Sequence, residues 1–330
     1  MGRRTNLALA ILLMAAAATG LASQAIGVDW PVDLAVLHGM AALAVVLLAP
    51  WKNAVIRRGL AKKRPGRGAS LALLTLVVVT LASGLLHSHG VVTGIGPLTT
   101  MQIHIGGAIL TLALAVDHFR RHPVKPRRLD VDRRAFLRGS LLTIAAAGMW
   151  LSWEKVLGLV GAPGRQRRFT GSHERGSYDP GGFPVTSWLD DATPSIDESQ
   201  WTVDVGGRRL TLADLESLPQ ESFAAVIDCT GGWYSQQDWS GVRLDRLVEG
   251  TGRRSFVAWS HTGYARRFPM TDLGATWLVT RVGGKHLSAG HGYPARIVAP
   301  GRRGFWWVKW VVRIETSTLP WWVQSPFPLT

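Results

Sequence analysis

The chain has 330 residues, enough for about two domains, and its 47% hydrophobic and 18% charged composition is too apolar for an ordinary soluble protein. Its net charge of +15 raises nucleic acid as a partner, but the dense clusters of Lys and Arg lie in two loops between apolar runs, so nucleic-acid binding is set aside. A single cysteine excludes a disulfide framework and any four-cysteine metal or iron–sulfur site built from this chain alone.

In chain order, runs almost free of charge occur at Asn6–Ile26, Leu34–Ala49, Ala69–Leu86, Pro97–Val116 and Gly139–Val160. Each approaches the ~20 residues that cross a bilayer as a helix, so about five spans are predicted. Lys52, Arg57, Arg58, Lys62, Lys63, Arg64 and Arg67 fill the loop after the second run. Arg120, Arg121, Lys125, Arg127, Arg128, Arg133, Arg134 and Arg138 fill the loop before the fifth. By the positive-inside rule both loops, with Arg3 and Arg4, stay in the cytoplasm. An inside N-terminus and five crossings then put everything after Val160 outside it. The expectation is a multi-pass protein of the inner, cytoplasmic membrane with its second domain on the extracytoplasmic side. Residues 1–25 also resemble a secretory signal, with Ala22-Ser23-Gln24-Ala25 as a loose cleavage site; cleavage there would not reverse the remaining spans.

Spans two to four carry histidines. His38 and His104 each lie about five residues from the outer end of their span, hence ~8 Å deep at ~1.5 Å per residue, and His87 and His89 close span three on the same side. Intramembrane histidines are costly and default to a functional hypothesis, and paired imidazoles from different helices are a standard axial set for haem b. His38 and His104 are the expected pair, with His87 as the competing partner; histidines hydrogen-bonded across helices are the bland alternative. His118 follows His104 on nearly the same helix face but lacks a partner at its depth, so one haem is expected. Residues 1–120 thus look like a small four-helix cytochrome b on histidine placement alone.

Asp132-Arg133-Arg134-Ala135-Phe136-Leu137-Arg138, directly before the fifth run, resembles a twin-arginine export signal at an internal position. That route carries folded proteins, so the domain behind it would acquire a cofactor in the cytoplasm. Ala145-Ala146-Ala147 is a candidate cleavage site, but the span is expected to stay as a tether. Residues 121–160 form this loop and span, and 161–330 the catalytic domain.

Beyond Gly161 the apolar runs are short and broken by Gly and Pro, as at Trp201–Val205 and Ala224–Ile227, which reads as strands. Phe223–Asp228 delivers Cys229 to the turn Thr230-Gly231-Gly232-Trp233. Cys229 with Trp233 and Trp239-Ser240-Gly241-Val242-Arg243-Leu244, and then Gly290-His291-Gly292-Tyr293-Pro294-Ala295-Arg296-Ile297-Val298-Ala299-Pro300-Gly301 with Gly304 and Val308-Lys309-Trp310, resemble the catalytic domain of the sulfite oxidase family of molybdopterin enzymes across about Phe183–Ile314. The resemblance implies an α+β fold, a molybdenum–molybdopterin cofactor, and Cys229 as the thiolate ligand of molybdenum.

By position it implies pterin or phosphate contacts for His291 and Arg296, another cofactor-contacting segment at Trp307, Val308 and Lys309, and looser placements for Ser260 or His261 and for Thr186 or Ser187. Gly292, Pro294, Pro300 and Gly301 more plausibly shape turns. The arginines that follow the cysteine in sulfite oxidases are replaced here by Thr230, Gly231, Gly232, Trp233 and Tyr234, which looks more like the bacterial sulfoxide-reductase branch. Arg243, Arg266 and Arg267 are the remaining candidates for anion binding. The family's C-terminal dimerisation domain is missing after Ile314, so a monomeric catalytic domain is expected, with Pro320-Trp321-Trp322 packed on it.

The expected function is reduction of a small sulfoxide or similar oxo substrate, with electrons reaching molybdenum from membrane quinone through haem b. The alternatives are oxidation of sulfite or another small anion, a molybdenum enzyme on a haem-free anchor, and a cofactor-free membrane scaffold.

Overall fold

The computed structural model describes residues 2–25, 27, 33–60, 67–96, 98–127, 130, 132–187, 191–249, 252–325 and 327–328. Lys62, Lys63 and Arg64 of the first basic loop, Arg128 of the second, and Pro97 at the expected start of span four lie outside the described residues. The chain divides into two compact units, one running to residue 173 and one from residue 174 onward that also takes in a short stretch around residue 27.

The first unit is built from α1 (Gly2–Ala25), α2 (Leu34–Leu60), α3 (Arg67–His89), α4 (Thr100–Arg121) and α5 (Arg133–Leu159). All five are long and apolar enough to cross a membrane, and many of their large apolar side chains are exposed. A helix apolar all round has its preferred surroundings in lipid. The fourth helix starts at Thr100, where Thr99 and Gln102 form a reciprocal capping box that satisfies two of the helix's free N–H groups. Helix α5 starts at the twin arginine because Asp132 caps it, its carboxylate accepting from the Ala135 N–H at 2.6 Å. Arg4 of α1 pairs with the same Asp132 at 2.9 Å and Arg3 with Asp130, so α1 and α5 begin at one end of the unit. Lys52, beyond the apolar part of α2, donates to Asn6 at 2.9 Å at that same end. Small residues permit close helix approach: a Cβ on Gly39 would lie 2.0 Å from the Trp150 ring, and one on Gly107 would lie 2.7 Å from the Thr80 hydroxyl.

The second unit carries two sheets. In the first, β3 (Glu221–Cys229) and β4 (Trp233–Arg243) form a long antiparallel hairpin. Next to β4 runs β7 (Trp277–Val282), whose other edge takes β8 (Lys285–His286) and β9 (Arg296–Val298). The second sheet has the order β2 (Arg208–Leu210), β1 (Val203–Val205), β10 (Val311–Ser317), β5 (Ser255–Ser260), β6 (Ala265–Pro269); only β1 and β10 run parallel. A short capped helix, α6 (Leu212–Ser217), follows β2. Trp239, Val242, Leu278, Val279, Ile297 and Val298 are almost wholly buried in the core. The strand expected at Trp201–Val205 begins at Val203, and the one at Phe223–Asp228 extends in both directions to Glu221 and Cys229.

Candidate molybdopterin site

Cys229 is the last residue of β3 and pairs across the hairpin with Trp233, the first of β4. Thr230-Gly231-Gly232 makes the turn. Gly232 supplies a left-handed φ of +90° and donates to the Cys229 carbonyl at 3.1 Å. This sharp reversal leaves Cys229 on the wall of an open cleft. The opposite side is formed by Arg296 at the start of β9 and by the segment Phe305–Trp310 leading into β10. Gly304 lets the two sides meet, since a Cβ there would stand 3.2 Å from the Cys229 Cα.

Four groups act on the sulfur. Asp228 raises its pKa, while the Gly231 N–H, which donates to Sγ at 3.3 Å, the positive charge of Arg303 and Thr186 lower it. Burial pushes the Cys229 thiol pKa up and outweighs these, so a cation at the sulfur is what would hold it as thiolate. Behind Cys229, Arg303 and Asp228 form a buried ion pair, and Arg303 also donates to the Cys229 carbonyl at 3.2 Å.

Arg296 is 1% exposed. It donates to the carbonyls of His291 at 2.9 Å and Trp307 at 3.2 Å, and its Nε–H is buried with no acceptor. Burial lowers its pKa to about 9, partly offset by Cys229. Lys309 donates to the carbonyls of Thr186 at 2.9 Å and Gly290 at 2.6 Å, and burial, aided by Arg296, brings its pKa down to about 7. Among the described residues no carboxylate forms an ion pair with either cation; Asp191 on the cleft wall instead accepts from Thr262 at 3.1 Å. A buried cation without a counter-charge is costly, so the cleft has the donor set of an anion site. Gly292 holds the cations together: at φ +109° it lies under both, and a Cβ there would meet Arg296 Cβ at 3.1 Å and Lys309 Cβ at 3.2 Å.

The remaining expected residues divide. Trp307 and Val308 are buried in the cleft wall, and Thr186, Ser187 and Ser260 line it. His291 lines it as well, but its Nε2 lies 3.1 Å from the Phe183 carbonyl and its Nδ1 2.9 Å from the Ser288 hydroxyl. Burial lowers the His291 pKa to about 4, so the ring is neutral near pH 7 and stacks on Phe183 at 3.8 Å. It braces the wall and adds no charge. His261 sits at the exposed turn after β5, outside the cleft lining, and its backbone N–H donates to the Trp310 carbonyl at 2.8 Å.

Arg243, Arg266 and Arg267 are corrected. Arg243 pairs with Asp245 at 2.8 Å, Arg266 stacks 4.4 Å from the Trp306 ring, and Arg267 donates to Ser255 at 3.1 Å, all away from the cleft lining. The tail is mixed, because Trp321 packs 6.2 Å from Trp306 while Trp322 is 65% exposed. Sequence reading missed Phe183, Asp191, Tyr264 and Phe305 in the lining and the Asp228–Arg303 pair behind it. Asp228, an acid inside an apolar strand run, was the available signal for the pair.

In the helical unit, the rings of His38, fifth residue of α2, and His104, fifth of α4, come together at 5.7 Å between centroids and 87° between planes. Their Nδ1 atoms lie 2.8 Å from the Ala16 and Thr80 carbonyls respectively, which fixes both tautomers with Nε2 as a free lone-pair donor. His87 is engaged elsewhere: its Nε2 lies 2.9 Å from the Gly171 carbonyl, its Nδ1 3.3 Å from the Thr100 hydroxyl, and its ring 4.8 Å from His173.

Residues 190–322 match the family described as the oxidoreductase molybdopterin binding domain, the segment that holds Cys229, Arg296 and Lys309. This matched segment lies in the second unit and supports a molybdenum oxidoreductase domain there. Among curated proteins the chain is similar to the mitochondrial sulfite oxidases of Rattus norvegicus and Mus musculus, 24% identical over 38% of this chain. The chain spans 30% of the length of those relatives. Among solved structures, the sulfane dehydrogenase SoxCD of Paracoccus pantotrophus aligns with a TM-score of 0.35 at 23% identity, covering 38% of this chain and 40% of that one. The donor set fits a molybdopterin: a cysteine sulfur in a cleft with the buried Arg296, whose Nε–H has no acceptor, and the half-buried Lys309.

Proposed function

We propose that the chain is a multi-pass protein of the cytoplasmic membrane whose extracytoplasmic molybdopterin domain reduces a small sulfoxide or similar oxo compound, with electrons drawn from membrane quinone through one haem b. The observation that carries the catalytic half is Cys229 sharing one cleft with the cations Arg296 and Lys309, neither in an ion pair among the described residues. Cys229 would hold molybdenum, while Arg296 and Lys309 would neutralise the pterin's phosphate. When bound, the group supplies two-electron oxygen-atom exchange. The chain's own residues hold the site dry and aromatic, through Phe183, Trp233, Tyr264, Phe305 and Trp310 on the walls. With Arg243, Arg266 and Arg267 committed elsewhere, the positive charge left in the cleft is that assigned to the cofactor, which favours a neutral substrate over an anion. Oxidation of sulfite is the second reading, favoured by the likeness to the mitochondrial sulfite oxidases.

The haem reading rests on the His38–His104 juxtaposition and its two fixed tautomers. The cytoplasmic placement of the basic loops rests on Arg3, Arg4, Lys52, Asp130 and Asp132 sharing one end of the helical unit.

The test is turnover by the molybdenum-loaded protein in detergent. Reduced protein should be reoxidised by a methyl aryl sulfoxide and not by sulfate. Reduction of the oxidised protein by sulfite with no response to sulfoxides would replace the first reading by the second.

A further inference from the structure

Leu319, Trp321, Trp322 and Val323 sit within five residues of one another and are 49%, 39%, 65% and 42% exposed. A contiguous apolar patch of this kind on a folded domain marks an interaction site. The segment is held in shape. The Val323 N–H donates to the Pro320 carbonyl at 3.0 Å, which closes a turn, and the Gln324 side chain donates to the carbonyls of Trp321 at 2.8 Å and Arg267 at 2.6 Å. Trp321 lies 6.2 Å from the Trp306 ring and 5.7 Å from the Arg302 guanidinium. Beside the turn stand two exposed arginines, Arg253 and Arg254. The Arg254 N–H donates to the Ser317 carbonyl at 3.0 Å, and the next residue, Ser255, donates its hydroxyl proton to the Leu319 carbonyl.

The chain also enters the second unit on this side. Gly27, which belongs to that unit, lies against the Gly301–Arg303 turn, where a Cβ would stand 2.5 Å from the Gly301 carbonyl oxygen and 2.6 Å from the Arg303 nitrogen. Gly27 follows the last residue of α1, Ala25, by two positions, at most ~7 Å of extended chain. Arg302 therefore joins the stretch that leaves the first apolar helix to the tryptophan turn.

We propose that the turn at 319–323, rimmed by Arg253 and Arg254, docks on anionic lipid and holds the second unit against the bilayer surface. The inference rests on the reading of α1 to α5 as membrane spans. Tryptophan suits the headgroup level, where its ring is apolar and its N–H can be solvated, and arginine beside it attracts anionic headgroups. One turn is far smaller than the 20–30 residues a side of a stable protein interface. It suffices for lipid, because a domain tethered to the bilayer meets that surface at high effective concentration.

The experiment places a nitroxide on Val323→Cys in the full-length protein, in nanodiscs of phosphatidylethanolamine and phosphatidylglycerol, and measures its collisions with oxygen and with a water-soluble nickel chelate. The native Cys229 is buried, so label on the wild-type protein sets the background. Reference labels go on Lys285→Cys, on the exposed edge strand β8, and on Ile144→Cys, on α5 and 68% exposed. The Val323 label should favour oxygen over nickel, as the Ile144 label does and the Lys285 label does not. Trp322→Glu should return it to water, and Arg253→Glu with Arg254→Glu should lower the ratio of lipid-seated to water-exposed label roughly tenfold or more. A Val323 label that matches Lys285 while Ile144 reports lipid would overturn the docking surface alone. Spin–spin broadening between copies at Val323 would overturn it in favour of a contact between two chains. An Ile144 label that reports water would overturn the membrane reading itself.

Discussion

At the scale of single residues the cleft is governed by two cations whose counter-charge the described residues do not supply. Replacing Arg296 with Met removes charge-assisted hydrogen bonds of roughly 1.5–3 kcal/mol, so molybdopterin retention after dialysis should fall roughly 10- to 100-fold. Retention equal to wild type would show that the guanidinium does not hold the cofactor. Lys309 gives a pH dependence. Its folded pKa of about 7 lies below the unfolded value of 10.5, so between these limits the unfolded chain binds more protons and folded-state stability rises with pH. Anion binding runs the other way, because it needs the charged amine. Affinity of the cofactor-free protein for inorganic phosphate should therefore weaken as pH climbs above about 7, and Lys309→Met should flatten that profile. A profile unchanged by Lys309→Met would contradict the assignment.

Local motif chemistry was legible in the sequence where it depends on neighbours in the chain. Cys229 at a strand end, the Gly292–Arg296 turn and the Trp307–Lys309 segment could be read because each is contiguous. The choice between Ser260 and His261 was not legible because the turn after β5 buries the first and exposes the second, an alternation that loose resemblance does not settle. Likewise, the partners of Arg243, Arg266 and Arg267 lie on other strands, so charge alone did not show that these side chains are committed.

At the scale of elements, the hairpin β3–β4 depends on a buried ion pair behind its tip. Asp228 and Arg303 are 3% and 0% exposed, and removing one partner of such a pair leaves an uncompensated charge at a cost of about 3–5 kcal/mol. Asp228→Ala should accordingly lower the midpoint of chemical denaturation of the second unit's tryptophan signal; a loss under about 1 kcal/mol would mean that other groups stabilise Arg303. In the helical unit, α2 and α4 bring His38 and His104 together, while α1 and α3 pass glycines over their rings. A Cβ on Gly20 or Gly84 would stand 3.0 or 2.9 Å from the ring carbons. His38→Ala and His104→Ala should each abolish the b-type absorbance, whereas His87→Ala should retain it. Helix spans could be read from hydropathy, but the engagement of His87 by Gly171 and Thr100 joins residues far apart in sequence and needed the fold.

At the scale of the whole molecule, the proposal is a fusion of an electron-carrying helical unit with a molybdenum oxidoreductase domain, and its central claim is that one chain holds both cofactors. The direct measurement is molybdenum content together with the reduced-minus-oxidised visible spectrum of the intact protein, purified from membranes in mild detergent. The account expects near-stoichiometric molybdenum and a b-type haem band in the same preparation, with molybdenum lost in Cys229→Ser and the haem band kept. Molybdenum without haem would reduce the helices to an anchor. Absence of molybdenum from cells that supply the cofactor would contradict the account at its core.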